Sequence, residues 1–352
     1  MAFSNFQHGF KAGVTIRGIP IEVTHPGRVF WVGNNVTRLD NEKTAADGND
    51  GTFLAPFSTI EGALNASAVV ASRGDVVFVR PGHTLAVTSE TTLALDKAGV
   101  AIIGLGSGAD RPTLTHTAPS GTVLVTAANV TFKNFLHTIA GTDNLGLDAA
   151  FKVSAVDANF ENLEFRDLAA SSNFLQVIQL GGGANATANQ ADRARFTDLR
   201  FILASTLGGV TKSLPIVVEA VTEGIVVERC HMFSLSEGAE GLVRVGASYN
   251  VTNILMKDCL AVRMSSSAAA GTVGTFISGG GTGAAGSGGT GVIINCIGKA
   301  GSTQSNNRFA GINALTTGLI TDCKINTGGL GTTATTNRDI ISATLTQINQ
   351  WS

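Results

Sequence analysis

Charge is scarce and balanced in this 352-residue chain, with 24 Lys+Arg against 26 Asp+Glu, 14% charged in all and a formal net charge of −2. There is no basic field to gather phosphates and no acidic field to gather cations, so nucleic acid is not an expected partner. Aromatics other than Phe are nearly missing. Sugar-binding clefts commonly stack their ligands on aromatic faces, and beyond Phe only Trp31, Trp351 and Tyr249 are available. No apolar run reaches membrane-spanning length, and the opening MAFSNFQHGFKAGVTIRGIP carries charge and Gly where a secretory leader needs an unbroken apolar stretch. The expectation is a chain made in the cytoplasm, without membrane contact, its thiols kept reduced. Triplets such as Asn129-Val130-Thr131 and Asn250-Val251-Thr252 then read as turn asparagines before strands rather than glycosylation sites. The 4 Cys include no C-x2-C pair, and the His residues no H-x3-H pair, which leaves no zinc pattern and no expected cofactor.

What is abundant is Gly (43), Phe (18) and an overall 43% of hydrophobic residues, enough to bury a large core through short strands and many turns. Seven segments share one pattern, an alternating apolar strand with a polar pair in its middle: NVTFKNFLHT, DANFENLEFRDL, DRARFTDLRFIL, EGIVVERCHMFSL, NVTNILMKDCLAVRM, TGVIINCIGKA and TGLITDCKINT. Aligned on the residue after the polar pair, they place Phe135, Leu163, Leu199, Cys230, Cys259, Cys296 and Cys323 in one column, with Leu105 in the same column upstream. The separations are 28, 36, 31, 29, 37 and 27 residues, a mean of about 31, which is a solenoid period. Period-two alternation broken by Gly, Asn and Thr argues against helical repeats, and the long period argues against a sandwich of hairpins. A parallel β-helix, each strand pairing with its equivalent one coil later, accounts for both. The column is read as an inward ladder and its four Cys as free buried thiols rather than disulfides.

Residues 1–50 lack the repeat and read as an N-terminal arm or attachment segment, 51–330 as the parallel β-helix and 331–352 as a C-terminal cap or tail. Within the arm, Phe30 and Trp31 form an apolar cluster that either packs on the first coil, the favoured reading, or contacts a neighbouring protein. Ser58 to Ala71 has Ile60, Ala63, Leu64 and Ala68 on one helical face with Ser58 as N-cap, a short helix to close the open solenoid end. RGDVVFVRPGHT from Arg73 reads as the first strand. Gly-rich runs from Gly181 and Ser278 read as surface loops outside the coil.

The run from Asp47 to Thr52, then Pro56 to Ile60, Ala63-Leu64 and Gly74 to Gly82, resembles the first coils of pectate-lyase-like right-handed β-helix proteins: D-G-x-x-G-T, P-F-x-T-I, A-L, G-D-x-x-x-V-x-P-G. The whole chain, arm included, is similar to β-helix proteins of tailed-phage structural gene clusters. That resemblance implies an all-β right-handed parallel β-helix with a short N-terminal capping helix, a homotrimer, and an arm that fixes it to the major capsid protein or another virion protein. Capsid decoration on the head surface is the favoured role. The alternative is a tailspike or fibre that binds or depolymerises a host glycan.

Candidates for such chemistry exist. Glu161, Glu164 and Asp167 fall with Arg166 on one repeat, Arg193 and Arg195 on the next, and Glu228 with Arg229 and His231 on the third. Stacked coils could align them into a site of the two-carboxylate or basic-residue kind. The favoured reading is solvent-facing charge alternating with core, without catalysis. Asp47, Asn49 and Asp50 could offer oxygens to Ca²⁺, but no EF-hand pattern continues from them, and a turn is the favoured reading.

Overall fold

The computed structural model describes residues 27–34, 42–140, 149–167, 174–181, 190–203, 214–234, 241–246, 249–263, 274–279, 290–300, 308–310 and 317–327, and a two-strand pair at 15–16 and 19–20. The rest of the arm, the Gly-rich runs past Gly181 and Gly279, and the segment 331–352 with Trp351 lie outside the described residues. Strands stack into three long sheets. The first, 10-stranded, runs from Val29–Val32 through Val76–Val79 and Ala101–Gly104 to Thr317–Thr321. The second, 9-stranded, runs from Thr84–Val87 to Lys324–Thr327, and the third, 8-stranded, from Ala94–Leu95 to Arg308–Ala310. All pairings within these three sheets are parallel, and the chain visits the sheets in turn: this is a right-handed parallel β-helix.

Alternation along each strand decides which side chains enter the coil. In the first sheet Phe132, Phe160, Phe196, Val227, Met256 and Ile293 occupy successive inward positions in register, all at most 1% exposed. In the second, His137, Phe165, Phe201, Met232 and Ala261 do the same. Phe165 and Phe201 stack at 5.4 Å and 7°, Phe160 and Phe196 at 5.4 Å and 10°. Stacked rings add about 0.5–1.5 kcal/mol per pair beyond area burial.

The register reproduces the repeat spacing: Phe132 pairs with Phe160, Phe196 with Val227, and Met256 with Ile293. Phe135, Leu163, Leu199, Cys230, Cys259 and Cys296 form the expected inward column, each at most 2% exposed, with half-buried Cys323 packed against the core. Leu105 departs from it. Eight residues, Leu105 to Pro112, link the first and second sheets in that coil, including the 3-10 turn Gly108–Asp110, where the next coil uses only Asn134 and Phe135. The longer corner leaves Leu105 half-buried.

Tight corners need a left-handed residue. Asn134, Asn162, Asp198, Arg229, Asp258, Asn295 and Asp322 all take φ between 48° and 66° between the first and second sheets. Except at Asp322, each backbone N–H donates to a carbonyl of the next coil, as from Asn134 to Glu161 at 3.0 Å and from Asn295 to Thr321 at 3.1 Å. Asn and Asp tolerate this region because their short side chains find local partners. Here those partners come from adjacent coils: Asn162 donates to Asn134 Oδ1 (2.8 Å) and Asn295 to Asp258 Oδ1 (2.7 Å). A second left-handed column, including Gly99, Asn129, Asp157 and Gly224, precedes the first sheet.

The start of the solenoid differs from the sequence reading. Val29–Val32, inside the segment read as an arm, heads the first sheet, so Val76–Val79 is the second strand and not the first. The capping helix α1 spans Ile60–Asn65, shorter than expected, and its N-cap is Thr59, whose hydroxyl accepts from Gly62 N at 2.8 Å. Ser58 is held elsewhere. Asp47 Oδ1 accepts from its backbone N (3.0 Å) and its hydroxyl (2.7 Å), and Asp47 also binds Thr59 through both oxygens. Ile60, Ala63 and Leu64 are buried as expected, and the helix packs against the first two strands of the first sheet.

Candidate functional site

Outward positions of the middle coils carry the polar candidates, and the topology divides them between two faces. On the first sheet, Lys133, Glu161, Thr197, Glu228 and Lys257 stand in one register column. Glu161 and Glu228 are two coils apart, roughly 10 Å of rise, with Thr197 between them. Lys133 Nζ lies 2.6 Å from Glu161 Oε1, and Glu228 pairs with Arg229 at 2.7 Å and Lys257 at 3.9 Å. On the second sheet, Leu136, Glu164, Arg200, His231 and Leu260 form the corresponding column. Asp167 follows the strand Glu164–Arg166, and its Oδ1 accepts from Phe174 N at 3.3 Å.

Glu164 is the buried member, 4% exposed, binding Arg111 at 2.6 Å and Arg166. Burial raises its pKa, but the hydrogen bonds and charges of Arg111 and Arg166 outweigh it and hold the carboxyl below the usual Glu range. A general acid needs the opposite shift. Two further arginines act between coils: Arg193 grips Asp157 through two 2.7 Å bonds, and Arg229 grips Asp198 at 2.8 and 3.0 Å. These ion pairs tie neighbouring coils together. Asp47 spends its carboxylate on Ser58 and Thr59, and Asn49 donates to the carbonyls of Thr44 and Pro56, both at 2.9 Å, as the turn reading requires.

A second cluster sits at the N-terminal end of the first sheet. Alternation splits the two attachment candidates: Phe30 turns inward, 5% exposed, with its ring 6.4 Å from Phe57, while Trp31 turns outward. Trp31 meets Phe53 edge-on at 4.8 Å and Phe78 at 5.3 Å. Arg80 places its guanidinium 4.7 Å over the Phe53 ring while pairing with buried Glu42 and donating to the Phe53 carbonyl. Phe53 and Val29 remain 44% and 40% exposed. Sequence reasoning missed Phe53, Phe78, Arg80 and Glu42. Val29 pairs with Val76, an offset of 47 residues that falls outside the repeat spacing, so the period gave no sign of this coil. It also missed an outward apolar stripe on the second sheet, where Leu260 pairs with Ile297 and Phe233 with Val262. Phe233, Leu260 and Ile297 are all exposed there, though Phe in the repeats reads as core.

Among the described residues no group of three or more His, Cys, Asp and Glu is arranged to hold a metal ion, and no helix is long and apolar enough to cross a membrane. No protein-family model matches the chain, and no curated protein matches it. Among solved structures it is similar to a rhamnogalacturonan lyase, at 16% identity over 78% of this chain and 69% of that one, with a TM-score of 0.51. Weaker likenesses are to the deglycosylated pectin methylesterase of Aspergillus niger (13% identity, 88% of this chain and 93% of that one, TM-score 0.43) and to ORF18 of Geobacillus virus E2 (13%, 74% and 55%, TM-score 0.36). At 16% identity the first of these likenesses speaks for the fold, a parallel β-helix, and for nothing finer.

Proposed function

We propose that this chain is a structural protein of a tailed-phage particle, and within the particle a decoration protein on the head, anchored through its N-terminal end and assembled as a homotrimer. The observation that carries the reading is how the outward charges are used. Glu161, Glu164 and Glu228 are each engaged by Lys or Arg: Glu161 by Lys133 and Glu228 by Lys257 from neighbouring coils, Glu164 by Arg111 from two coils away and by Arg166 on its own strand, and Glu228 also by the adjacent Arg229, so these carboxylates serve the solenoid instead of converging on a substrate. The start of the solenoid meanwhile exposes Val29 and Phe53 beside Trp31, Val29 and Trp31 lying within the segment read as the arm and Phe53 just after it. Aromatic anchors with a nearby Arg are what interface hot spots are made of. The similarity of the whole chain to β-helix proteins of phage structural gene clusters supports the same role.

The test is co-sedimentation of the purified chain with phage heads that lack it. Wild type should pellet with heads, and a Trp31→Ala, Phe53→Ala double variant that keeps its β-sheet circular dichroism should bind at least tenfold more weakly. Equal binding by the variant would remove this cluster from attachment, and no binding by wild type would remove head decoration.

One feature favours a second reading, a tailspike or fibre acting on host glycan. Glu164, Arg200 and His231 occupy one column on three consecutive coils of the second sheet. Release of oligosaccharides from host surface polysaccharide by the wild type, abolished in His231→Ala, would support it.

A further inference from the structure

The four thiols occupy one corner column in four successive coils. Cys230, Cys259 and Cys296 are at most 2% exposed, and Cys323 is half-buried and gives the column an opening. All four sulfurs point the same way. Each lies within reach of the carbonyl two residues back, on Glu228 (3.5 Å), Lys257 (3.3 Å), Ile294 (3.2 Å) and Thr321 (3.1 Å). The backbone on either side is tied coil to coil, by Leu260 N to Cys230 O (3.0 Å), Ile297 N to Cys259 O (2.9 Å) and Asn295 N to Thr321 O (3.1 Å). Like-oriented side chains on such a ladder repeat with the coil rise, about 4.8 Å.

That spacing decides between two fates for paired thiols. A disulfide wants Cβ atoms roughly 3.5–4.5 Å apart, closer than in-register stacking holds them. A metal bridging two sulfurs in a line, with bonds of roughly 2.3 Å as for zinc–thiolate, needs them about 4.6 Å apart. Thiolates select soft ions such as Cu(I). We propose that the Cys230, Cys259, Cys296 and Cys323 column binds a soft metal ion of the Cu(I) type in two-coordinate sites, one between Cys230 and Cys259 and one between Cys296 and Cys323.

Each ion replaces two protons: two S–H bonds break, two S–Cu bonds form, both protons pass to solvent, and no oxidation state changes. The resulting unit carries one negative charge, and Cys296 N already donates to Cys323 Sγ at 3.4 Å.

The experiment is an anaerobic titration of the reduced full chain with Cu(I), supplied as its acetonitrile complex against a competing chelator, with X-ray absorption to count ligands. The expected result is two ions per chain, each with two sulfur neighbours, with unchanged β-sheet circular dichroism, falling to one ion in Cys323→Ala. No uptake, uptake only as the β signal is lost, three or more ligands per ion, or an unchanged count in Cys323→Ala would each overturn the proposal.

Discussion

Histidine inside a solenoid is a liability unless its protons are arranged, and His116 and His137 show how. Both are 0% exposed, stacked on adjacent coils at 5.6 Å. His116 Nδ1 lies 2.6 Å from the Gly121 carbonyl and His116 Nε2 lies 3.3 Å from His137 Nδ1, a chain in which each neutral ring donates once. His137 Nε2 ends the chain without a partner, buried. Burial lowers the pKa of His116 to about 4, against the pull of Gly121, and burial, then the charges of His116 and Arg111, hold His137 well below the usual 6.5. Unfolded histidines take up protons near pH 6.5 while the folded pair does not. Stability is therefore full above that pH and falls as pH drops toward 4, by up to about 1.4 kcal/mol per pH unit for each ring. His137→Phe, placing a ring in the same stack beneath Phe165, should lower the pH slope of urea-unfolding stability between pH 6.5 and 4 by one ring's share while His116 keeps its own; a slope identical to wild type would contradict this account of the pair. Glu164, with its lowered pKa, acts in a lower window, stabilising above its unfolded value and losing that contribution as pH falls through its folded one. The periodicity placed His137 on a strand but gave no sign of this pairing, because His116 lies in a coil whose strand, Thr113–His116, follows the long corner.

At the scale of the element, the corner decides the fold as much as the strand does. Asn162, at φ 53°, is bracketed by Asn134 and the Thr197 carbonyl; both Asn162→Gly and Asn162→Val lose the exposed side-chain bond to Asn134, but only Val adds about 1–2 kcal/mol of left-handed strain, so Val should be the less stable by that amount. Equal stability for the two variants in thermal unfolding would mean that the turn does not depend on this conformation. Ion pairs on these elements separate by burial. Arg111→Ala leaves the buried Glu164 carboxylate with Arg166 as its remaining partner and should cost about 1–3 kcal/mol, whereas exposed Arg229→Ala should leave the melting temperature within error. The polar pair in each repeat made these corners legible in the sequence, and the column after it followed directly. Leu105 failed because Gly104 is followed by an eight-residue link that no period can count. The helix starts later than expected because the Ser58 hydroxyl is bound to Asp47, a contact eleven residues distant that local propensity cannot see, and it ends early, at Asn65, where Ala66 turns to an extended conformation.

For the whole molecule, the repeat offsets alone carried the architecture, since parallel stacking turns sequence period into sheet register. Function was less legible. Alternation told which residues face outward, but it could not divide Glu161 and Glu228 from Glu164 and His231, because that depends on which side of each corner a residue falls. Nor could it show that Trp31 shares its face with Phe53 and Phe78. The measurement that bears most directly on the proposed role is immunogold electron microscopy of the phage particle with antibody raised against this chain. Head decoration predicts label spread over the head; label confined to the tail tip would contradict it and turn attention to the Glu164, Arg200 and His231 face.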